Sequence, residues 1–145
     1  MIGLLQRVLE ASVDVDGERV ACIGPGLVVL VGVRPTDDEA STMRLLDRLL
    51  QYRVFSDQGG KMNLSLTETG GGLLLVPQFT LAADTQKGLR PGFSTAAPPA
   101  QGRLLFDVLV GAARKRHETV ETGVFGAHMR VSLTNDGPVT IWLES

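Results

Sequence analysis

The chain has 145 residues, a formal net charge of −2 at pH 7 and an apolar share of 43%. This length fits one domain over residues 1–145, because single domains most often have about 100–150 residues, and the composition is that of a globular protein. The slight negative charge argues against a protein that coats nucleic acid indiscriminately, since such binding needs many cationic contacts to phosphate.

Neither the N-terminal residues nor the single cysteine points to export. The first residues show no basic stretch followed by a long apolar run, and no window approaches the roughly 20 apolar residues of a membrane span. Cys22 cannot form an internal disulfide, and its apolar neighbours predict a small buried side chain. We therefore expect a cytoplasmic protein.

The first third of the chain has the pattern of a sheet. Polar and apolar residues alternate over 11–15, and Asp16-Gly17 is a strong two-residue turn signal. The unbroken, β-branched apolar run 27–31 predicts a central strand buried on both faces.

A helix follows this run. Thr36 and Glu39 have the spacing of a capping box, in which each side chain binds the other residue's backbone N–H. Apolar residues then recur at helical spacing, which predicts an amphipathic helix with an inner face of Met43, Leu46, Leu49 and Leu50.

A second buried strand, 73–76, stops at Pro77, and residues 84–99 form a long loop without periodicity. Such loops are often functional. A second helix starts near Pro99 and ends around Arg116. Its predicted inward residues are Leu104, Leu105, Val108, Leu109 and Ala112.

The tail returns to strand patterns. Alternation over 127–134 is broken at 135–138, and a last strand covers 139–143. Together the elements predict an α+β fold of one domain, with two main helices packed on a curved, mostly antiparallel, barrel-like sheet.

Common catalytic and metal-binding patterns are missing from the sequence. It has no Gly-x-Ser-x-Gly elbow, no phosphate-binding glycine loop and no His-Glu-x-x-His motif. His117 follows a basic helix end, and His128 should face solvent or a partner, so a serine triad or metal site is poorly supported. We expect no metal and no cofactor.

Two polar segments at strand ends remain as candidates. Directly after a buried strand, Gln78 supplies an amide and Thr80 a hydroxyl, beside backbone N–H groups that could stabilise an oxyanion. The second segment covers 135–140. Taken alone, the first could be a simple strand corner and the second a simple turn.

These two segments carry a family resemblance. Gln78-Phe79-Thr80-Leu81-Ala82 and Asn135-Asp136-Gly137-Pro138-Val139-Thr140 resemble the two signature motifs of the D-aminoacyl-tRNA deacylases. The likeness extends nearly end to end, since further segments at 5–8, 11–13, 52–57, 61–63 and 90–93 are similar in the same order.

The resemblance implies a hydrolase that cuts the ester between a D-amino acid and tRNA, as chiral proofreading in translation. It implies a homodimer in which a cis Gly137–Pro138 bond enters the partner's pocket. Main-chain oxygens there would meet the Cβ of an L-residue, whereas a D-residue, or glycine without a Cβ, would pass. It needs no cofactor.

The resemblance also implies roles for individual residues. Gln78, Phe79 and Thr80 would be catalytic. Substrate binding would fall to Gly137, Pro138, Leu81, Ala82, Phe125 and Met129, although core packing is an equal alternative for Met129. Basic residues that could contact tRNA are Lys87, Arg90 and Arg114-Lys115-Arg116, although such a run is commonly a solvated helix end.

Two mechanisms are open. Thr80 could be a nucleophile, but no base for it is visible; alternatively, the terminal ribose 2′-hydroxyl assists attack and the protein supplies orientation and N–H donors near Phe79 and Thr80. The second is preferred. A non-catalytic binding module for an RNA end or a protein, and a generic esterase, are competing readings.

The chain departs from the family pattern twice. Pro77 stands where a serine is usual, which removes a hydroxyl and one backbone N–H, and Gly92 replaces another common serine, which could loosen its loop.

Overall fold

The computed structural model describes residues 1–86 and 88–145. The sheet and helix elements follow in chain order: β1 (Ile2–Val15), β2 (Glu18–Ile23), β3 (Gly26–Gly32), α1 (Glu39–Gln51), β4 (Phe55–Ser56), β5 (Met62–Leu64), α2 (Leu66–Thr69), β6 (Gly72–Pro77), a 3-10 turn (Phe79–Ala82), α3 (Pro99–Arg116), β7 (Val120–Thr122) and β8 (Met129–Glu144).

The long strand β1 organises the main sheet. Along one edge it pairs antiparallel with β8, and its other edge is shared by β3 and β2, which pair with its first and second halves. Beyond β3 the sheet continues through β6 and β7, which are parallel to β3 and β6 respectively. The predicted α+β fold, with a curved sheet carrying two long helices, is confirmed.

Each face of the sheet has its own core. Leu27, Val29 and Leu75 belong to the cluster under α1 and α3, whereas Val28 and Leu74 belong to a second cluster on the opposite face. Strands β3 and β6 are therefore buried on both sides, which explains their uninterrupted apolar sequence. The prediction for these two strands is confirmed.

The start of α1 differs from the prediction. Its N-cap is Asp38, whose carboxylate accepts from the Ser41 N–H at 2.8 Å while the Ser41 hydroxyl accepts from the Asp38 N–H at 3.0 Å. Thr36 lies before the helix because Asp37 closes a turn with the backbone of Arg34. The capping box is real but starts two residues later.

The buried faces of the two long helices α1 and α3 also differ from the predicted ones. On α1, Met43 is only partly buried and Leu45 takes the core position, while on α3 the predicted inward Leu104 is 62% exposed and Val108 and Ala112 are partly buried. The buried stripe of α3 consists of Gly102, Leu105, Phe106, Leu109, Val110 and Ala113. Periodicity alone left the rotation of α3 uncertain by one residue.

Cys22 is exposed, so its predicted burial is wrong. On β2 its neighbours Ala21 and Ile23 point into the second core, and strand alternation turns Cys22 outward. The short elements α2, β4, β5 and β7 were not predicted. No helix within 1–86 and 88–145 has the length and apolar character needed to cross a membrane.

Candidate active site

A largely apolar cavity of about 400 Å³ opens beside the 3-10 turn at the end of β6. Among the residues that line it, Gln78 alone has a hydrogen-bonding side chain. The lining residues are Val31, Val33, Pro77, Gln78, Phe79, Phe93, Ala96, Ala97, Pro98, Pro99, Gly102, Phe106, Phe125 and Gly126.

The 3-10 turn leaves two backbone donors free. The Gln78 N–H continues the sheet by donating to the Val31 carbonyl at 2.7 Å, and the Leu81 N–H donates to the Gln78 carbonyl at 3.2 Å. Within the described residues, the N–H groups of Phe79 and Thr80 between them have no acceptor, as expected in the first turn of a helix. Both residues are exposed, and Phe79 lines the cavity.

The side chains of Gln78 and Thr80 bind each other, with Gln78 Nε2 donating to Thr80 Oγ1. No histidine, aspartate or glutamate in the described part of the chain is hydrogen-bonded to this hydroxyl. The bond fixes the amide of Gln78, which lines the cavity, against the Thr80 hydroxyl, but it supplies no base that could activate Thr80 as a nucleophile.

Pro77 fits its position in β6. Alternate residues of a strand direct their N–H groups to opposite neighbours, and because the Gln78 N–H faces β3, the Pro77 nitrogen faces β7. The pairing with β7 covers residues 73–75 and a last bond from the Gly123 N–H to Leu75, so it has already ended there. The lost N–H therefore costs the sheet no bond.

The loop before α3 holds the 3-10 turn from outside. The Thr95 hydroxyl donates to the Ala82 carbonyl at 2.6 Å, and the Ala97 N–H donates to the Val33 carbonyl at 2.9 Å. Asp84 and Gly92 form a two-bond bridge at the base of the loop, and a Cβ on Gly92 would lie 3.5 Å from the Asp84 Cβ, an ordinary contact. A serine would fit at this position.

Three of the candidate substrate residues do not line the first cavity. Leu81 and the buried Ala82 line a second, more open cavity of about 620 Å³, on the side of Arg34 and Thr95. Met129 is absent from the lining of the first cavity; it packs against the second core, and its Sδ accepts from the Val124 N–H at 3.3 Å.

Aromatic rings flank the first cavity on two sides. Phe79, which is 55% exposed, has its ring centroid 5.0 Å from that of Phe93, and Phe125 lies 6.5 Å from Phe106. Sequence analysis singled out Phe79 and Phe125 but missed Phe93 and Phe106, because only the fold brings the loop and α3 to this site.

The second motif forms an outward corner in β8. The predicted break at 135–138 is wrong as a strand end, since β8 continues through it. Gln6 pairs with Thr140 and Val8 with Asn135, so the single residue Arg7 of β1 lies opposite the four residues 136–139. Gly137 and Pro138 are exposed, and the peptide bond between them is cis.

Arg7 and Asn135 hold the base of this corner. The Arg7 guanidinium donates to the Asp136 carbonyl at 3.0 Å and to the Val54 carbonyl, and it pairs with the Asp136 carboxylate at 3.2 Å. Asn135 Oδ1 accepts from the Val139 N–H at 2.7 Å.

Only glycine fits the first corner position. Gly137 has a φ of +134°, and a Cβ there would lie 2.9 Å from Val139 Cγ2 and 3.1 Å from Arg7 Nη2.

Within one chain the two motifs are far apart. Arg7, opposite the corner, pairs with Leu27 on β3, whereas Gln78 is bonded at Val31, four residues further along that strand. With a rise of about 3.3 Å per residue and three strand spacings of about 4.8 Å from β8 to β6, the separation along the sheet surface is about 20 Å. The corner is not among the residues that line the chain's own cavity.

The basic and histidine candidates are dispersed. Arg90, Arg114 and Lys115 are exposed, and Arg116 pairs with Asp47 at 2.7 Å; Lys87 lies outside the described residues. The ring of His117 is 2.6 Å from the Gly71 carbonyl, and the exposed His128 lies on the segment before β8. Neither histidine lines the cavity.

Two solved structures resemble this fold. The c-Myc DNA unwinding element binding protein superposes with a TM-score of 0.96 at 38% identity, covering 100% of this chain and 99% of that one. A probable eukaryotic D-amino acid tRNA deacylase superposes with a TM-score of 0.86, covering 99% and 98%, but at 18% identity its likeness concerns the fold alone.

Similarity in sequence is more specific. A D-aminoacyl-tRNA deacylase of Thioalkalivibrio sulfidiphilus is 65% identical over 144 residues, which are 99% of this chain and 97% of that protein. One of Azotobacter vinelandii is 63% identical over the full length of both. A family model described as D-Tyr-tRNA(Tyr) deacylase matches residues 4–144. The resemblance seen in the two motifs is thereby confirmed, and this chain belongs to the D-Tyr-tRNA(Tyr) deacylase family.

Proposed function

We propose that this chain removes D-amino acids from tRNA as a cytoplasmic homodimer, with the Gly137–Pro138 corner of each subunit closing the cavity of the other. The hydrolytic activity is supported by the relatives, which are named D-aminoacyl-tRNA deacylases, and the chain is a hydrolase of that class. The dimer and the exchange of corners are supported by the geometry of the two motifs.

The chemistry is assigned to the backbone of the 3-10 turn. The free N–H groups of Phe79 and Thr80 stabilise the oxyanion that forms when the ester carbonyl is attacked. The terminal ribose 2′-hydroxyl assists that attack, and Gln78 with Thr80 orients the ester. The lack of a base bonded to the Thr80 hydroxyl favours this route over a threonine nucleophile.

The observation that carries the dimer is the exposed corner about 20 Å from its own cavity, by the strand spacings given above. The corner is anchored at its base by Arg7 and Asn135, while Gly137 and Pro138 themselves are exposed. A second copy, related by two-fold symmetry, could receive it and offer its own corner in return.

Chirality then follows from sterics. Carbonyl oxygens of Gly137 and Pro138 would accept hydrogen bonds from the substrate's α-amino group. A D-residue directs its side chain away from these oxygens, whereas an L-residue presses its Cβ against them, and such overlap is costly. Glycyl-tRNA, which has no Cβ, is a second substrate.

The test is release of amino acid from D-tyrosyl-tRNA, L-tyrosyl-tRNA and glycyl-tRNA under identical conditions. We expect release from the first and third and none from the second. Release from none of them would identify a binding module, and equal release from the D- and L-forms would refute the steric filter. Hydrolysis of a simple aryl ester at the rate of D-tyrosyl-tRNA would indicate a generic esterase.

A further inference from the structure

An arginine is fixed at the rim of the first cavity. The Arg103 Cζ lies 4.9 Å from the ring centroid of Phe125, and its Nη2 donates to the Phe125 carbonyl at 3.3 Å. Phe125 and Gly102, the residue before Arg103, both line the cavity. Stacking and hydrogen bond together hold the guanidinium beside the entrance while the residue itself stays exposed.

The charge of Arg103 is not neutralised by the protein. Arg7, Arg19, Arg34 and Arg116 each have a carboxylate within 4.0 Å, whereas Arg103 has none among the described residues. The cavity lining itself carries no charged side chain. This rim therefore presents a fixed, unpaired cation next to an apolar interior.

The proposed substrate likewise combines apolar groups, which suit the cavity, with a charged phosphate, which suits the arginine at the rim. If the proposed function holds, the cavity accepts apolar or aromatic parts of an aminoacyl nucleotide, and the phosphate on the 5′ side of that nucleotide has to remain outside, in water. Burying an unpaired phosphate among phenylalanines and prolines would be prohibitively costly. A guanidinium is the side chain best suited to meet it, because its planar fork can donate two parallel hydrogen bonds to phosphate oxygens.

We propose that Arg103 binds the 5′-phosphate of the terminal nucleotide of tRNA and so orients the 3′ ester toward Phe79 and Thr80. This inference rests on the proposed function and adds a residue that holds the RNA. The basic run 114–116, which the sequence offered as a tRNA contact, lies at the opposite end of α3 from Arg103.

Two small substrates isolate this contact. One is the ester of D-tyrosine with the ribose of adenosine, and the other is the same ester of adenosine 5′-monophosphate. The wild-type dimer should prefer the phosphorylated ester by about tenfold in kcat/KM, the lower range for a charge-assisted hydrogen bond at an exposed site. R103Q should lower kcat/KM for the phosphorylated ester about tenfold more than for the adenosine ester, which abolishes that preference.

Controls separate binding from packing. R103K keeps the charge without the fork and should retain part of the preference, and R44Q, on the exposed side of α1, should leave it unchanged. An equal loss on both esters in R103Q would show that Arg103 acts by supporting Phe125, and an unchanged preference would exclude the contact. If the wild type cleaves neither ester nor D-tyrosyl-tRNA, the proposed function fails before the role of Arg103 is in question.

Discussion

At the scale of single residues, the proposed site depends on main-chain groups that a few side chains hold in place. In the mechanism proposed above, the donors would be the backbone N–H groups of Phe79 and Thr80, and the carbonyl oxygens of Gly137 and Pro138 would form the filter. Side-chain truncation should therefore affect the reaction less than a change that removes a main-chain group or its anchor.

Thr80 provides the direct comparison. Thr80→Ala keeps the N–H and should retain deacylation of D-tyrosyl-tRNA within about tenfold, whereas Thr80→Pro removes that donor and should lose about 100-fold or more in kcat, the usual cost of one oxyanion donor. Single-turnover rates with both variants, checked for folding by circular dichroism, measure this. Near-total loss in a folded Thr80→Ala protein would rule out the RNA-assisted mechanism.

Arg7 is the anchor with most contacts to the corner, and its side chain is 12% exposed. Arg7→Met leaves the Asp136 and Val54 carbonyls without their donor, which should lower the free energy of unfolding by about 1–3 kcal/mol and admit some L-tyrosyl-tRNA as the corner loosens. Urea unfolding and the ratio of D- to L-rates test the two effects.

The matched control for Arg7 is Asp136→Asn, which removes the ion pair but keeps the carbonyl acceptor. Because the Asp136 side chain is 45% exposed, the ion pair contributes little, and the unfolding free energy of this variant should stay within about 1 kcal/mol of the wild type. Equal effects of the two substitutions would assign the anchoring to charge instead of the carbonyl bonds.

At the scale of elements, interactions close in sequence were predicted well and rotations about helix axes were not. The runs 27–31 and 73–76 needed only their composition to be assigned as buried strands. The N-cap moved from Thr36 to Asp38 because Asp37 is used in a turn, and Leu104 turned outward because α3 packs through Phe106 instead. The rotation of α3 depends on neighbours distant in sequence, whereas the N-cap was decided by a local turn that the capping pattern did not reveal.

The end of β8 is held by a carboxylate that titrates in acid. Hydrogen bonds from Arg34 and then from Trp142 lower the pKa of Glu144 from 4.5 to about 2. A lowered pKa means that this stabilisation is complete above about pH 4.5 and is lost as the pH falls toward about 2. Glu144→Gln should thus be less stable than the wild type at pH 7, with the difference vanishing near pH 2.

Thermal unfolding of both proteins between pH 2 and pH 7 measures this difference. The control is Glu118→Gln, because the Glu118 carboxylate is exposed and has no salt bridge among the described residues. Its stability difference from the wild type should not change with pH as that of Glu144→Gln does. A difference that persists at the same size at pH 2 would mean that the Glu144 carboxylate is not the stabilising group.

At the scale of the whole molecule, the proposed dimer would bring the 3-10 turn of one chain together with the Gly137–Pro138 corner of the other. Phe79→Pro removes a donor, and deletion of residues 137–138 removes the corner, so each variant alone should be inactive on D-tyrosyl-tRNA. In a heterodimer of the two, purified through separate tags, one composite site has both parts intact. Such a heterodimer should regain about half of the wild-type activity, given two equivalent sites in a symmetric dimer.

A heterodimer without activity would place both motifs in the same subunit's site and contradict the exchange of corners. A wild-type protein that sediments as a monomer at assay concentration would do the same.

The sequence by itself determined the strand runs, the presence of two long helices and the two motifs, because alternation, apolar continuity and turn residues act over a few neighbouring positions. The two motifs in the sequence were also sufficient to indicate the family.

Only the tertiary structure decided which side chains share a cavity and which groups stay unpaired. In the fold, Phe93 and Phe106 line the same cavity as Phe79 and Phe125. Arg103 lies at the rim of that cavity, whereas the corner lies away from it. Each of these depends on strand register and helix rotation, which are set by packing between segments far apart in the chain. Local sequence does not encode those distances, and so the cavity and its separation from the corner became visible only in the fold.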